Sequence, residues 1–500
     1  MTGAIVDTRS GKVQGLERNG IQVFRGIPYA APPVGPRRWK APQREESWDT
    51  VRDATRFSAM AAQGEFMLEQ MLGGGEPRAK SEDSLYLNVF TPGLDDKRRP
   101  VMVWIHGGAF MMGEGATPWY DGTRFATQGD IVVVTINYRL GSFGFLHLSD
   151  LFGDEFAGSG NLGLLDQVAA LEWVRDCIEA FGGDPARVTI FGESAGAGSV
   201  ATLLGMPAAS GLFEAAIPQS GAASWFATPQ RANEITTIVI DALGVKPGDV
   251  DALYAKTTEE IITAQAAAGL ETDSTGLPFQ PVVDGTVLPR PPLEAIAEGS
   301  ATGVRLLVGT NHDEMTLFGL MDPSLATLDE PAIRLRIAPY WGADGVDDFI
   351  ATYRRVQPDA TIQDLWIAIA TDALFRIPAI RLAEHQLAHA PVWSYLFTWA
   401  TPVFGGGLKS THALEIPFVF DNLGEPGSEL FTGTGDERAA IARRMHDAWI
   451  AFARDGSPQH DAIPTWPRYD TDRRATMRID ESWEVIDDPM SETRHLWDNR

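Results

Sequence analysis

The chain has 500 residues, 44% apolar and 22% charged, an ordinary composition for a globular protein with a large core. Its formal net charge of -26 excludes phosphate backbones and anionic lipid surfaces as natural partners, because like charges repel. A single cysteine, Cys177, rules out an intrachain disulfide and points to a reducing compartment, so a cytoplasmic protein is expected.

Residues Met1 to Asp7 have no basic stretch and no sustained apolar run, so they do not read as a signal peptide. Residues 1–50 read as short strands and turns, among them Ile21 to Phe24 and a proline-rich stretch from Gly26 to Pro36. From about residue 85 the pattern becomes strand, loop, strand, helix. Leu85 to Phe90, Val101 to Ile105 and Ile131 to Asn137 are apolar, β-branched runs of buried-strand length, all too short to span a bilayer. Leu164 to Phe181 carries apolar residues at helical spacing, with Cys177 as a small core residue among them, and Gly182-Gly183-Asp184-Pro185 ends it. Val188 to Phe191 follows as a strand and Ser199 to Leu204 as a helix. Alternating buried strands and amphipathic helices predict an α/β fold with a large, mostly parallel central sheet. Residues 320–390 read as mostly helical, including Thr361 to His389, between strand candidates Arg305 to Val308 and Val392 to Phe397. That is the position of an insertion covering a site. No repeat or linker divides residues 1–500, so one domain is expected.

The chemistry is concentrated where a predicted strand runs into Gly192-Glu193-Ser194-Ala195-Gly196 and a helix runs out. A nucleophile elbow has this context: the turn holds a serine at the carboxyl end of the sheet, and flanking glycines leave it room. A serine hydroxyl needs a base to take its proton and donors for the oxyanion it creates. His106-Gly107-Gly108-Ala109-Phe110, after the apolar strand ending at Ile105, supplies small residues whose N–H groups can approach a substrate oxygen. Nine histidines are candidates for the base, and composition does not rank them. His385 and His389 lie four apart on a predicted helix, a spacing compatible with metal, but no third ligand is near and they read as surface residues.

With these motifs the chain resembles the type-B carboxylesterases, which share the cholinesterase fold, over nearly its whole length. The resemblance is carried by Phe24 to Gly35, Ser81 to Val89, Asn137 to Gly141, Gly160 to Gln167, Phe181 to Pro185 and Gln219-Ser220-Gly221. In style it is similar to the bacterial, intracellular branch that includes para-nitrobenzyl esterases and actinobacterial carboxylesterases. The resemblance implies an α/β-hydrolase fold, with His412 of Thr411-His412-Ala413-Leu414-Glu415 as the base. It implies Glu314 as the acid, where spacing alone divides the role evenly between Glu314 and Asp313. It further implies that the N–H groups of Gly108, Ala109 and Ala195 receive the oxyanion, that Glu193 and Ser220 support the acid and base, and that His106 supports its own loop. Arg38 with Glu82, and Arg139 with Asp166, match pairs that bridge elements of such folds.

Ser84 stands where secreted relatives have a cysteine, and the loop around residues 58–84 contains no tryptophan. Cholinesterases hold a quaternary ammonium on such a tryptophan, so choline esters are not expected substrates. Phe66, Met67, Met71, Phe110, Met111 and Trp225 are the candidate pocket residues, an apolar and adaptable lining. The reading is a serine carboxylesterase for short- to medium-chain or aromatic esters, using water, no cofactor and no metal, and acting as a monomer. Aryl carbamate or amide hydrolysis by the same residues is the alternative. A non-catalytic binding protein of this fold is the remaining one, disfavoured by the intact Ser194, Glu314 and His412.

Overall fold

The structure, a computed structural model, describes residues 2–66, 78–269, 276–342 and 345–498. Among these residues thirteen strands form one sheet. In chain order its main strands are β1 (Thr2–Thr8), β2 (Gly11–Arg18), β3 (Ile21–Pro28), β4 (Tyr86–Thr91), β5 (Arg99–Ile105) and β6 (Val132–Ile136). They continue with β7 (Gly183–Glu193), β8 (Ala215–Gln219), β9 (Arg305–Asn311), β10 (Val392–Phe397), β11 (Thr476–Ile479) and β12 (Glu484–Ile486). The spatial order is β1-β2-β3-β4-β6-β5-β7-β8-β9-β10-β11-β12. From β6 through β11 every neighbouring pair is parallel, and antiparallel strands close both edges.

The β2–β3 hairpin turns on Asn19-Gly20, both at positive φ (52° and 80°), the conformation that matches strand twist in a two-residue turn. The central strands are apolar along their whole length because both of their faces are covered. Val101, Val103, Ile105, Val132 and Val134 join one core. Met102, Trp104, Val133 and Phe191, at the intervening positions, join the core on the opposite face. Helix α1 (Leu162–Cys177) packs on the first side and buries Cys177 as a free thiol.

The strand β7 passes through a tight turn into α2 (Ala195–Gly205). Between β9 and β10 the chain is helical, including α3 (Met315–Leu320), α4 (Ile362–Thr371) and α5 (Ile377–Gln386). Leu325, Ile333, Phe349, Leu365 and Ile369 give this region an apolar cluster of its own. The single helix expected from Thr361 to His389 is interrupted: Asp372–Arg376 is a π-helical turn joining α4 to α5, which ends at Gln386. Tertiary contacts hold that turn, since buried Arg376 donates to Asp372 from Nε (2.6 Å) and Tyr353 donates to the same carboxylate (2.6 Å). After β10 comes α6 (Glu437–Asp455) on the second face. Both expected bridging pairs form: Arg38 with Glu82, and buried Arg139 with Asp166 at 2.7 Å. No helix among the described residues is long and apolar enough to cross a membrane.

Candidate active site

Ser194 sits between β7 and α2 at φ 56°, ψ −125°, a region costly for a residue with a Cβ, on the order of 1–3 kcal/mol. The surroundings hold it there. Its N–H donates to Gln219 O (3.0 Å) and its carbonyl accepts from Gly198 N–H (2.8 Å). The flanking glycines are sterically required, because a Cβ on Gly192 would lie 2.5 Å from Ile105 O and one on Gly196 only 2.0 Å from it. Chain crossing at such distances brings the end of β5 directly beside the turn. A Cβ on Gly107 would lie 3.1 Å from Ser194 Cβ, so the Gly107-Gly108-Ala109 segment adjoins the serine.

Gly108, Ala109 and Phe110 all have positive φ (112°, 55° and 58°), a tight bend that turns this segment back at the sheet edge. The N–H groups of Gly108 and Ala109 donate to no oxygen among the described residues. Ala195 is the first residue of α2, so its N–H has no acceptor within the helix. These free donors lie on the two segments that adjoin the half-buried Ser194. His106 is fully buried, stacked on Tyr138 at 4.5 Å with Nδ1 2.8 Å from Gly107 O. Burial lowers its pKa to about 4, so it is a neutral prop of this loop.

His412 lies in the loop after β10, its ring between two carboxylates. Nδ1 is 2.6 Å from Glu314 Oε2 and Nε2 is 3.1 Å from Glu193 Oε1. Glu314 follows the end of β9 and immediately precedes α3, and its other oxygen accepts from Asn311 N–H at 2.7 Å. The neighbouring Asp313 turns away and pairs with His312 at 3.0 Å, so the structure sets Glu314 against His412 and Asp313 apart from it. Burial lowers the affinity of His412 for a proton, but Glu193 and Glu314 outweigh it and raise the pKa to about 9. Burial, countered by His412, in turn holds Glu193 well above the carboxylate range. Glu193 Oε1 has no hydrogen-bond partner, so the two groups face each other as charges and their titrations belong to the pair.

Several groups around this centre lie outside the residues expected from the sequence. Glu415 is fully buried and accepts from Asn311 Nδ2 (2.7 Å) and Gln219 Nε2 (3.0 Å), while Gln219 Oε1 accepts from Trp449 Nε1 (3.0 Å). Burial, then the charge of Glu314, raises the Glu415 pKa. Phe318 on α3 and Phe375 in the π turn cover the His412 ring at 5.1 and 4.9 Å. Phe318 lies four residues after Glu314, the helical spacing that could have marked it; Phe375 depends on the π turn and had no such sign.

Of the other predicted residues, Trp225 meets Phe375 edge-on at 5.5 Å and lies against Gly198 of α2. Phe110 is fully enclosed and packs on Phe145 at 5.0 Å, while Met111 and Phe66 are half-buried. Met67 and Met71 lie outside the described residues. The Ser220 N–H donates to Gly309 O (2.9 Å), and its buried hydroxyl has no hydrogen-bond partner. His385 and His389 are half-buried, with ring nitrogens 2.8 and 3.0 Å from the carbonyls of Arg381 and Ala297. No group of three His, Cys, Asp or Glu side chains arranged to hold a metal ion occurs among the described residues.

The model of the Carboxylesterase family matches residues 2–497. The chain is 44% identical to the para-nitrobenzyl esterase of Bacillus subtilis (strain 168), covering 99% of this chain and 98% of that protein. It is 37% identical to the phenmedipham hydrolase of Pseudarthrobacter oxydans, covering 98% and 97% respectively. The crystal structure of a Geobacillus stearothermophilus carboxylesterase at pH 6.2 superposes with a TM-score of 0.91 at 45% identity, over 99% of each chain.

Proposed function

The chain belongs to the carboxylesterase family and is a carboxylic ester hydrolase, and from that premise we propose that Ser194 is its nucleophile, His412 its base and Glu314 the acid that orients the base. The observation that supports this most is the 2.6 Å contact from Glu314 to His412 Nδ1, in a chain whose serine is held at a strained turn beside free N–H donors. His412 takes the Ser194 proton as Oγ attacks the ester carbonyl, and Glu314 stabilises the imidazolium. The N–H groups of Gly108, Ala109 and Ala195 receive the developing oxyanion, a role typically worth about 100- to 1000-fold per donor. Collapse expels the alcohol, protonated by His412, and leaves acyl-Ser194, which water activated by the same histidine releases as the acid.

Short- to medium-chain or aromatic esters are the proposed substrates, because Phe318, Phe375 and Trp225 make the surroundings of His412 aromatic. Cytoplasmic placement rests on the lone Cys177, and a monomer on the scatter of exposed apolar side chains from Ile5 to Leu430. Ser194→Ala is expected to abolish hydrolysis of p-nitrophenyl butyrate and labelling by a fluorophosphonate while leaving the circular dichroism spectrum unchanged. Retained hydrolysis in that variant overturns the assignment.

A further inference from the structure

A second cavity, of about 320 Å³, opens where β2, β3 and the 115–121 segment meet, and none of the residues around Ser194 and His412 line it. Three guanidinium groups, from Arg18, Arg25 and Arg78, face it in a chain whose net charge is -26. Two of them are already matched. Arg18 pairs with Asp121 at 3.0 Å, and Arg78 forks onto Glu114, with Nε 2.7 Å from the carboxylate. Arg25 has no acceptor among the described residues, and its Nε is buried without a hydrogen-bond partner. Its guanidinium lies over the Phe57 ring at 4.3 Å, and Arg78 lies over the same ring at 5.3 Å. The other carboxylate on the wall, Glu425, makes no ion pair with Arg25 among the described residues. Burial, Arg18 and Arg78 depress the pKa of Arg25 while Asp121 opposes them, so this guanidinium stands among like charges without a direct ion pair of its own.

We propose that this cavity is a binding site for a small organic monoanion, its carboxylate forked onto Arg25 and its apolar body against Phe57, Phe90 and Tyr120. One unmatched cation fits one negative charge, whereas a phosphate monoester brings about 1.5 to 2 at neutral pH. A guanidinium suits a carboxylate because its parallel N–H groups reach both oxygens. The volume is near the lower end of small-molecule pockets, roughly 300 Å³, and far exceeds the needs of an inorganic ion. The site is independent of the ester-hydrolysis reading.

Isothermal titration of the full chain with sodium benzoate tests this. One saturable site is expected, weakened about tenfold or more in Arg25→Met and unchanged in Ser194→Ala, with no binding of the neutral benzamide. Absence of saturable binding overturns the proposal, as does binding that survives Arg25→Met or disappears in Ser194→Ala. Inorganic phosphate binding as tightly as benzoate overturns the organic part of it. Should Arg25→Met not fold, the wild-type protein decides: its benzoate affinity must fall several-fold between about 20 and about 200 mM salt, and an unchanged affinity refutes the contact.

Discussion

Replacing Glu193 with glutamine keeps the shape of the side chain and removes the charge that faces His412 Nε2. Opposite unit charges 3.1 Å apart attract by about 5 kcal/mol at an effective dielectric constant of about 20. Raising His412 from 6.5 to about 9 corresponds to about 3 kcal/mol in favour of the protonated form. The Glu193 attraction is therefore as large as the whole net rise, with burial acting against it. The imidazolium carries a proton on Nε2, so in the proposed mechanism His412 must lose it before it can accept one from Ser194. The sign follows: activity rises with pH as the pair deprotonates. The limb of kcat/KM is expected near pH 9 in the wild type and about one pH unit or more lower in Glu193→Gln. Rates on ethyl butyrate in a pH-stat, from about pH 5.5 to about pH 10, measure both limbs. Coincident limbs would refute the electrostatic role given to Glu193, and an alkaline shift in the variant would reverse it.

Glu314→Gln is expected to lower kcat by about 10³- to 10⁴-fold, as loss of the orienting acid does in serine triads, while Asp313→Asn stays within a few-fold of wild type. Steady-state kinetics on p-nitrophenyl butyrate compare them, and equal losses would return the choice between the two acids to an open one. Gly196→Ala places a methyl 2.0 Å from Ile105 O, so calorimetry should find a strongly lowered Tm or no folded protein; a wild-type Tm contradicts the packing described at the elbow. Asp166→Asn leaves the Arg139 guanidinium buried beside a neutral group, with an expected loss of about 3–5 kcal/mol in urea unfolding, and a loss under about 1 kcal/mol counts against this pair as a tie between elements.

Much of this molecule is legible without coordinates because its signals are local. Val132 to Ile136 reads as a buried strand since parallel sheets are covered on both faces, and the Asn19-Gly20 hairpin since its two residues tolerate positive φ. The glycines about Ser194 are legible for the same reason: any side chain there meets the backbone of β5 within bonding-forbidden distances. The choice of His412 among nine histidines came from family resemblance, and nothing in its own surroundings along the chain marks it. Phe375 was invisible because a π turn shifts the register by one residue, and that turn exists only through buried contacts among Asp372, Arg376 and Tyr353.

By itself the sequence determined the strand and helix order, the strained elbow at Ser194 and the segment of small residues beside it, all set by steric and apolar patterning within a few residues of chain. Only the tertiary structure decided that Glu193 would face Nε2 of His412 while Glu314 faces Nδ1, that Glu415 would sit behind them, and that Arg25 would lack a direct ion pair of its own. Those outcomes are electrostatic, and they depend on which charges from distant parts of the chain share a volume from which water is excluded.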